Sequence, residues 1–130
     1  MTVIDTTKDL SALFTQQAKA TPDLVALEDG KETYTYQQLH DKVATLTDHL
    51  RAHGVGRDCL VGVLLPRSAD YVIACLAALR AGGAFLVLEL AYPPDLLADV
   101  LEDAQPTVVV TTSAEVGKIK QGTPLVVLDE

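Results

Sequence analysis

Three histidines and two cysteines are the residues on which a reactive site could most easily be built. His49 and His53 stand four apart, which puts two imidazoles on one face of a helix at a spacing able to bind a metal ion. No third ligand is evident, and the C-terminal end of a helix attracts a cation in any case, so both read as surface histidines. His40 stands alone. Cys59 and Cys75 each lie inside an apolar segment and read as buried thiols of a reducing cytosol, not as a disulfide or a nucleophile. Gly54-Val55-Gly56-Arg57-Asp58-Cys59 nearly spells a dinucleotide fingerprint. It follows a helix and precedes a strand, however, so no helix N-terminus faces a phosphate, and the stretch reads as a helix cap and turn. Gly82-Gly83 has no Gly-Lys-Ser/Thr after it, which argues against a phosphate loop and for helix termination with close backbone packing. No nucleophile elbow, cysteine–histidine signature or paired-carboxylate spacing rises above chance. The residues by themselves assign no catalytic, cofactor-binding or metal-binding role.

The elements that would carry any site belong to an ordinary globular chain. It has 130 residues, 48% hydrophobic and 22% charged, which implies one domain or part of one with a real core. The net charge of -8 is scattered; an acidic surface repels phosphate backbones and anionic lipids, so neither nucleic acid nor membrane is an expected partner. The amino terminus lacks the basic and apolar regions of a secretory signal, and every apolar run falls far short of the ~20 residues that span a bilayer. A cytoplasmic location is expected.

Leu10, Leu13, Phe14, Gln17 and Ala18 recur at helical spacing until Thr21-Pro22. Val25–Glu28 and Lys31–Thr35 flank Asp29-Gly30 as a hairpin. Thr35 and Gln38 form a capping box, with Tyr34 and Leu39 placed for a hydrophobic staple. Leu39, Val43, Leu46 and Leu50 then mark one helix face up to Gly54. Leu60–Leu65 reads as a buried parallel strand. Ser68 caps a helix whose inner face is Tyr71, Val72, Cys75, Leu76 and Leu79. Ala84–Leu88 reads as a second buried strand, and Pro94 opens a helix lined inside by Leu96, Leu97, Val100 and Leu101. Val108–Thr111 and Leu125–Leu128 complete the strands, with a helix expected around Ser113–Ile119. Helices alternating with strands predict an α/β fold, a layered parallel sheet flanked by helices. There is no internal repeat, low-complexity tract or linker.

Several of these segments together resemble the adenylation domains of nonribosomal peptide synthetases and their relatives, the acyl-CoA synthetases and luciferases. Leu13-Phe14, Gln17 and Thr21-Pro22-Asp23 are similar to that family's opening helix and turn. Tyr34-Thr35-Tyr36-Gln37-Gln38-Leu39 resembles its first core motif, and Leu79-Arg80-Ala81-Gly82-Gly83-Ala84-Phe85 its second. Val61-Gly62-Val63, Arg67-Ser68, Asp70, Ala91-Tyr92-Pro93 and Leu101-Glu102-Asp103 continue the similarity in order, from about residue 10 to 128. The resemblance departs at Leu86-Val87-Leu88-Glu89-Leu90, where the family usually runs Val-Pro-Leu-Asp-Pro, and at Pro66, where peptide synthetases often carry an acid. A divergent subfamily, not one that activates standard amino acids, fits these departures.

The resemblance implies that residues 1–130 are a single partial domain, the N-terminal portion of the large subdomain of the adenylate-forming fold. The complete enzyme would use ATP and magnesium to turn a carboxylic or amino acid into an acyl-adenylate, usually passed on to a thiol. The family's phosphate loop, acyl-binding residues, ribose-binding acid and late lysine lie downstream, so no site residue is carried over and the segment alone is expected to be inactive. Its expected partners are the remainder of the adenylation domain and a carrier-protein domain. The alternatives are a truncated, non-catalytic homologue serving as an interaction module, and an independent nucleotide-binding domain of flavodoxin-like shape. An apolar face left open is expected to drive association.

Overall fold

The computed structural model describes residues 10–129. Helix α1 (Leu10–Ala20) leads into a hairpin of β1 (Val25–Asp29) and β2 (Glu32–Thr35). Then follow α2 (Tyr36–Ala52), β3 (Leu60–Val63), α3 (Ala69–Arg80), β4 (Ala84–Val87), α4 (Pro94–Ala104), β5 (Val108–Thr111) and β6 (Leu125–Val127). The last four strands form one parallel sheet in the order β4-β3-β5-β6. This is the layered α/β arrangement that the alternating pattern predicts.

Local chemistry sets the element boundaries. At the start of α2, Thr35 Oγ1 accepts the Gln38 N–H at 3.1 Å while the Thr35 N–H donates to Gln38 Oε1 at 2.9 Å, so two free donors are satisfied reciprocally. Tyr34 packs against the apolar cluster that contains Leu39, the two positions a staple would use. The helix ends at Gly54, whose φ of 91° is costly for any residue with a Cβ. There the Gly54 N–H bonds Arg51 O and the Val55 N–H bonds Leu50 O, each at 3.0 Å, and the buried Leu50 and Val55 close the motif.

Two apolar clusters sandwich the sheet. Val61, Val63, Val108 and Val110 face α2 and α3, while Leu64, Leu88 and Val109 face Leu97 and Leu101 of α4. β3 and β5 are interior strands, and Val61, Val63 and all of β5 are buried. Continuous apolar runs suit strands covered on both faces.

Five expectations need correction. Ala84–Leu88 is not a buried strand: β4 lies at the sheet edge, with Ala84 and Phe85 exposed and only Leu88, beyond the strand's end, fully covered. The buried face of α3 is made by Ala69, Ile73, Ala74, Leu76, Ala77 and Ala78, whereas Tyr71, Val72, Cys75 and Leu79 are only half-buried. Small residues win because α3 is pressed between the sheet and both α1 and α2, where the backbones come close. On α4, Leu97 and Leu101 are buried but Leu96 is 44% exposed. The stretch around Ser113–Ile119 makes one 3-10 turn, Val116–Lys118, and no α-helix. The first strand of the sheet also stops at Val63, with Leu64 and Leu65 buried in the loop after it.

Candidate functional site

In open α/β sheets, ligands sit outside the C-terminal ends of the strands, where the strand order reverses. Here the chain runs from β3 out to β4 and then back past β3 to β5, so the reversal lies between β3 and β5. Side chains tie this edge together. Thr111 Oγ1, fully buried, donates to Leu64 O at 2.9 Å across the reversal. One turn further, Asp129 grips Ser113 with both oxygens: Oδ1 accepts the backbone N–H at 2.7 Å and Oδ2 the hydroxyl at 2.6 Å. These bonds favour the ionised carboxylate and hold the Asp129 carboxyl below its usual range. Lys118 pairs with Glu115 at 2.7 Å and reaches Leu90 O at 3.5 Å, joining the loop after β5 to the loop after β4. Backbone hydrogen bonds join the strand ends at both edges, as by Leu88 N to Val63 O here and by Ala84 N to Cys59 O at the opposite one.

The N-terminus of α3 opens on this edge and would be the natural place for a phosphate. Two of its first-turn donors are already used: Ser68 Oγ accepts the Tyr71 N–H at 3.4 Å and Asp29 Oδ2 accepts the Ala69 N–H at 3.0 Å. A carboxylate from the hairpin therefore stands where an anion would bind at this helix start. Sequence reasoning missed Asp29, Ser113 and Asp129. The available signal for the last two was an acid just after one predicted strand and a serine just after its neighbour.

The other flagged residues are placed as follows. His49, on α2, and His53, just after its end, are exposed and border a groove of about 610 Å³ beside β6, lined also by Leu46 and Ile73. The His53 ring nitrogen Nδ1 lies 2.9 Å from His49 O, turned back onto its own helix. No group of three or more histidines, cysteines or acids among the described residues could hold a metal ion. His40 is half-buried between the Phe14 ring and Arg80, whose Nη1 is 3.3 Å from its Nε2. Cys59 and Cys75 are free and half-buried, and burial pushes the Cys75 thiol up to about 11. Gly54 and Gly56 form the turn expected of them. A Cβ on Gly83 would come within 2.9 Å of Cys59 O, so the second glycine of Gly82-Gly83 serves close packing. No helix among the described residues is long and apolar enough to cross a membrane.

The family described as AMP-binding enzyme matches residues 14–129. The chain belongs to this family. Over all 130 residues it is 70% identical to glycine betaine reductase ATRR of Emericella nidulans, of which it spans 10%. It is 43% identical over 103 residues, 79% of its length, to enterobactin synthase component F of Shigella flexneri, of which it spans 8%. Among solved structures, it resembles holo-AB3403, a four-domain nonribosomal peptide synthetase bound to AMP and glycine. The TM-score is 0.85 at 29% identity over 95% of this chain and 9% of that one. For VinN the TM-score is 0.82 at 28% identity, over 92% of this chain and 33% of that one. The AMP-binding family's fold is thus present, in a chain about a tenth the length of these curated relatives.

Proposed function

We propose that this chain forms the first layered part of the large subdomain of an ATP-dependent adenylating enzyme, which activates a carboxylic acid as an acyl-adenylate for transfer to a thiol. The observation that carries this reading is the AMP-binding match over residues 14–129, joined to 70% identity with a single relative along the entire chain. Within that reading, residues 1–130 are one partial domain whose sheet positions loops supplied by the rest of the adenylation domain. Developing charge at a phosphoryl centre needs preorganised donors and a cation. Two donors at the start of α3 are taken by Ser68 and Asp29, which supports a reading in which ATP and magnesium are held by other parts of the adenylation domain and the segment alone is inactive.

The substrate class follows the same relative. Identity is higher with a protein named for glycine betaine than with the peptide synthetases, and Leu86–Leu90 departs from the peptide-synthetase pattern. A betaine-type carboxylic acid, activated so that its carboxyl carbon becomes reducible, fits both. The test is ATP–pyrophosphate exchange by the full-length protein with glycine betaine and with a panel of standard amino acids. Exchange with glycine betaine, and none by residues 1–130 alone, is the expected result. Exchange with an ordinary amino acid only would overturn the substrate class, and exchange by the segment would overturn its inactivity.

A further inference from the structure

The polar side chains that cross between strand ends of this sheet gather at its C-terminal edge, and the Asp129–Ser113 grip is the one least explained by stability. Asp129 is exposed, and hydrogen bonds in water between exposed groups contribute little to folding. What two short bonds from one carboxylate do is favour a shape: the backbone of Ser113 and its hydroxyl are both held, which ties the turn after β5 to the end of β6. That turn borders the reversal between β3 and β5, which the buried Thr111–Leu64 bond closes from below. Lys118 carries the same loop across to Leu90 in the atypical Leu86–Leu90 stretch. We propose that Asp129 is a positioning residue of the adenylating site, acting through Ser113 to hold the loop after β5 in the shape that the bound reactants require. The assignment rests on the adenylating reading above.

The test uses the full-length protein, with ATP and glycine betaine as probes in pyrophosphate exchange. Asp129→Asn keeps the size of the side chain but cannot accept two hydrogen bonds in the same way, and Ser113→Ala removes the hydroxyl alone. Each is expected to lower exchange per folded enzyme about tenfold, because small misplacements near reacting groups are costly. The loss should include a raised KM for ATP or the acid, and the melting temperature should barely move. Ser113→Thr, which retains both donors, should restore exchange to within about twofold of the unaltered protein. The double variant should be no worse than Asp129→Asn, since the two residues act as a unit. A loss that merely follows the folded fraction, with KM unchanged, would overturn the assignment, as would variants that exchange normally. If the unaltered protein shows no exchange with any carboxylic acid, the adenylating reading falls and takes this assignment with it.

Discussion

Gly83 and Cys75 show how much single atoms decide here. A methyl group on Gly83 would stand 2.9 Å from the Cys59 carbonyl oxygen and 3.3 Å from Val55 Cγ1. The oxygen belongs to backbone already bonded to Ala84 N and cannot move aside freely. Gly83→Ala should therefore cost about 1–3 kcal/mol by overpacking, read from urea denaturation midpoints. Gly56→Ala, where nothing lies within 4 Å, is the matched control. Cys75 is governed by burial, which raises its thiol from 9.0 to about 11. The unfolded chain then gives up the proton first as pH rises, so this group's contribution is whole below about 9 and is lost between about 9 and about 11. Stability measured across that window should fall less steeply in Cys75→Ala than in the unaltered chain. At pH 8 Cys75 should also be alkylated more slowly than a free thiol in solution. Capping signals were the part of this scale legible in advance: Thr35 with Gln38 and Ser68 announce their bonds by type and spacing alone. Asp129 and Ser113 do not, because they lie 16 residues apart in sequence and meet only through strand pairing.

At the scale of elements, the periodicity of α4 placed four apolar residues inward, and the packing accepted some and not others. Leu97 is 1% exposed and Leu96 44%. Leu97→Ala should cost about 2–5 kcal/mol, whereas Leu96→Ala should stay near ±0.5 kcal/mol; equal losses in thermal unfolding would contradict this account of the helix. Helical spacing reports an arc of the helix but not where on that arc the sheet lies. The same limit explains α3, whose alanines were overlooked because small residues carry a weak periodic signal. With Ile73 and Leu76 they nevertheless make its buried face, against the sheet, α1 and α2.

At the scale of the molecule, β4 and β6 are the outer strands of the sheet among the described residues, and the hydrophobic Phe85 stands 37% exposed on the first. An edge strand with an apolar side chain is a template for association. The 130-residue chain should therefore associate with rising concentration in sedimentation velocity, and Phe85→Lys should shift it toward monomer. A monomer at every concentration would show that the edge is harmless. Composition, periodicity and turn chemistry determined the alternation of elements, the parallel sheet and the helix caps, because each is written in residues close together along the chain. Strand order was decided by the tertiary structure alone. A run such as Ala84–Leu88 has the same local propensity at an edge as in the interior, and only long-range pairing put β4 outside and the reversal between β3 and β5. That order brings Asp129 to Ser113 and Asp29 to the start of α3, contacts between residues that nothing local in the sequence connects.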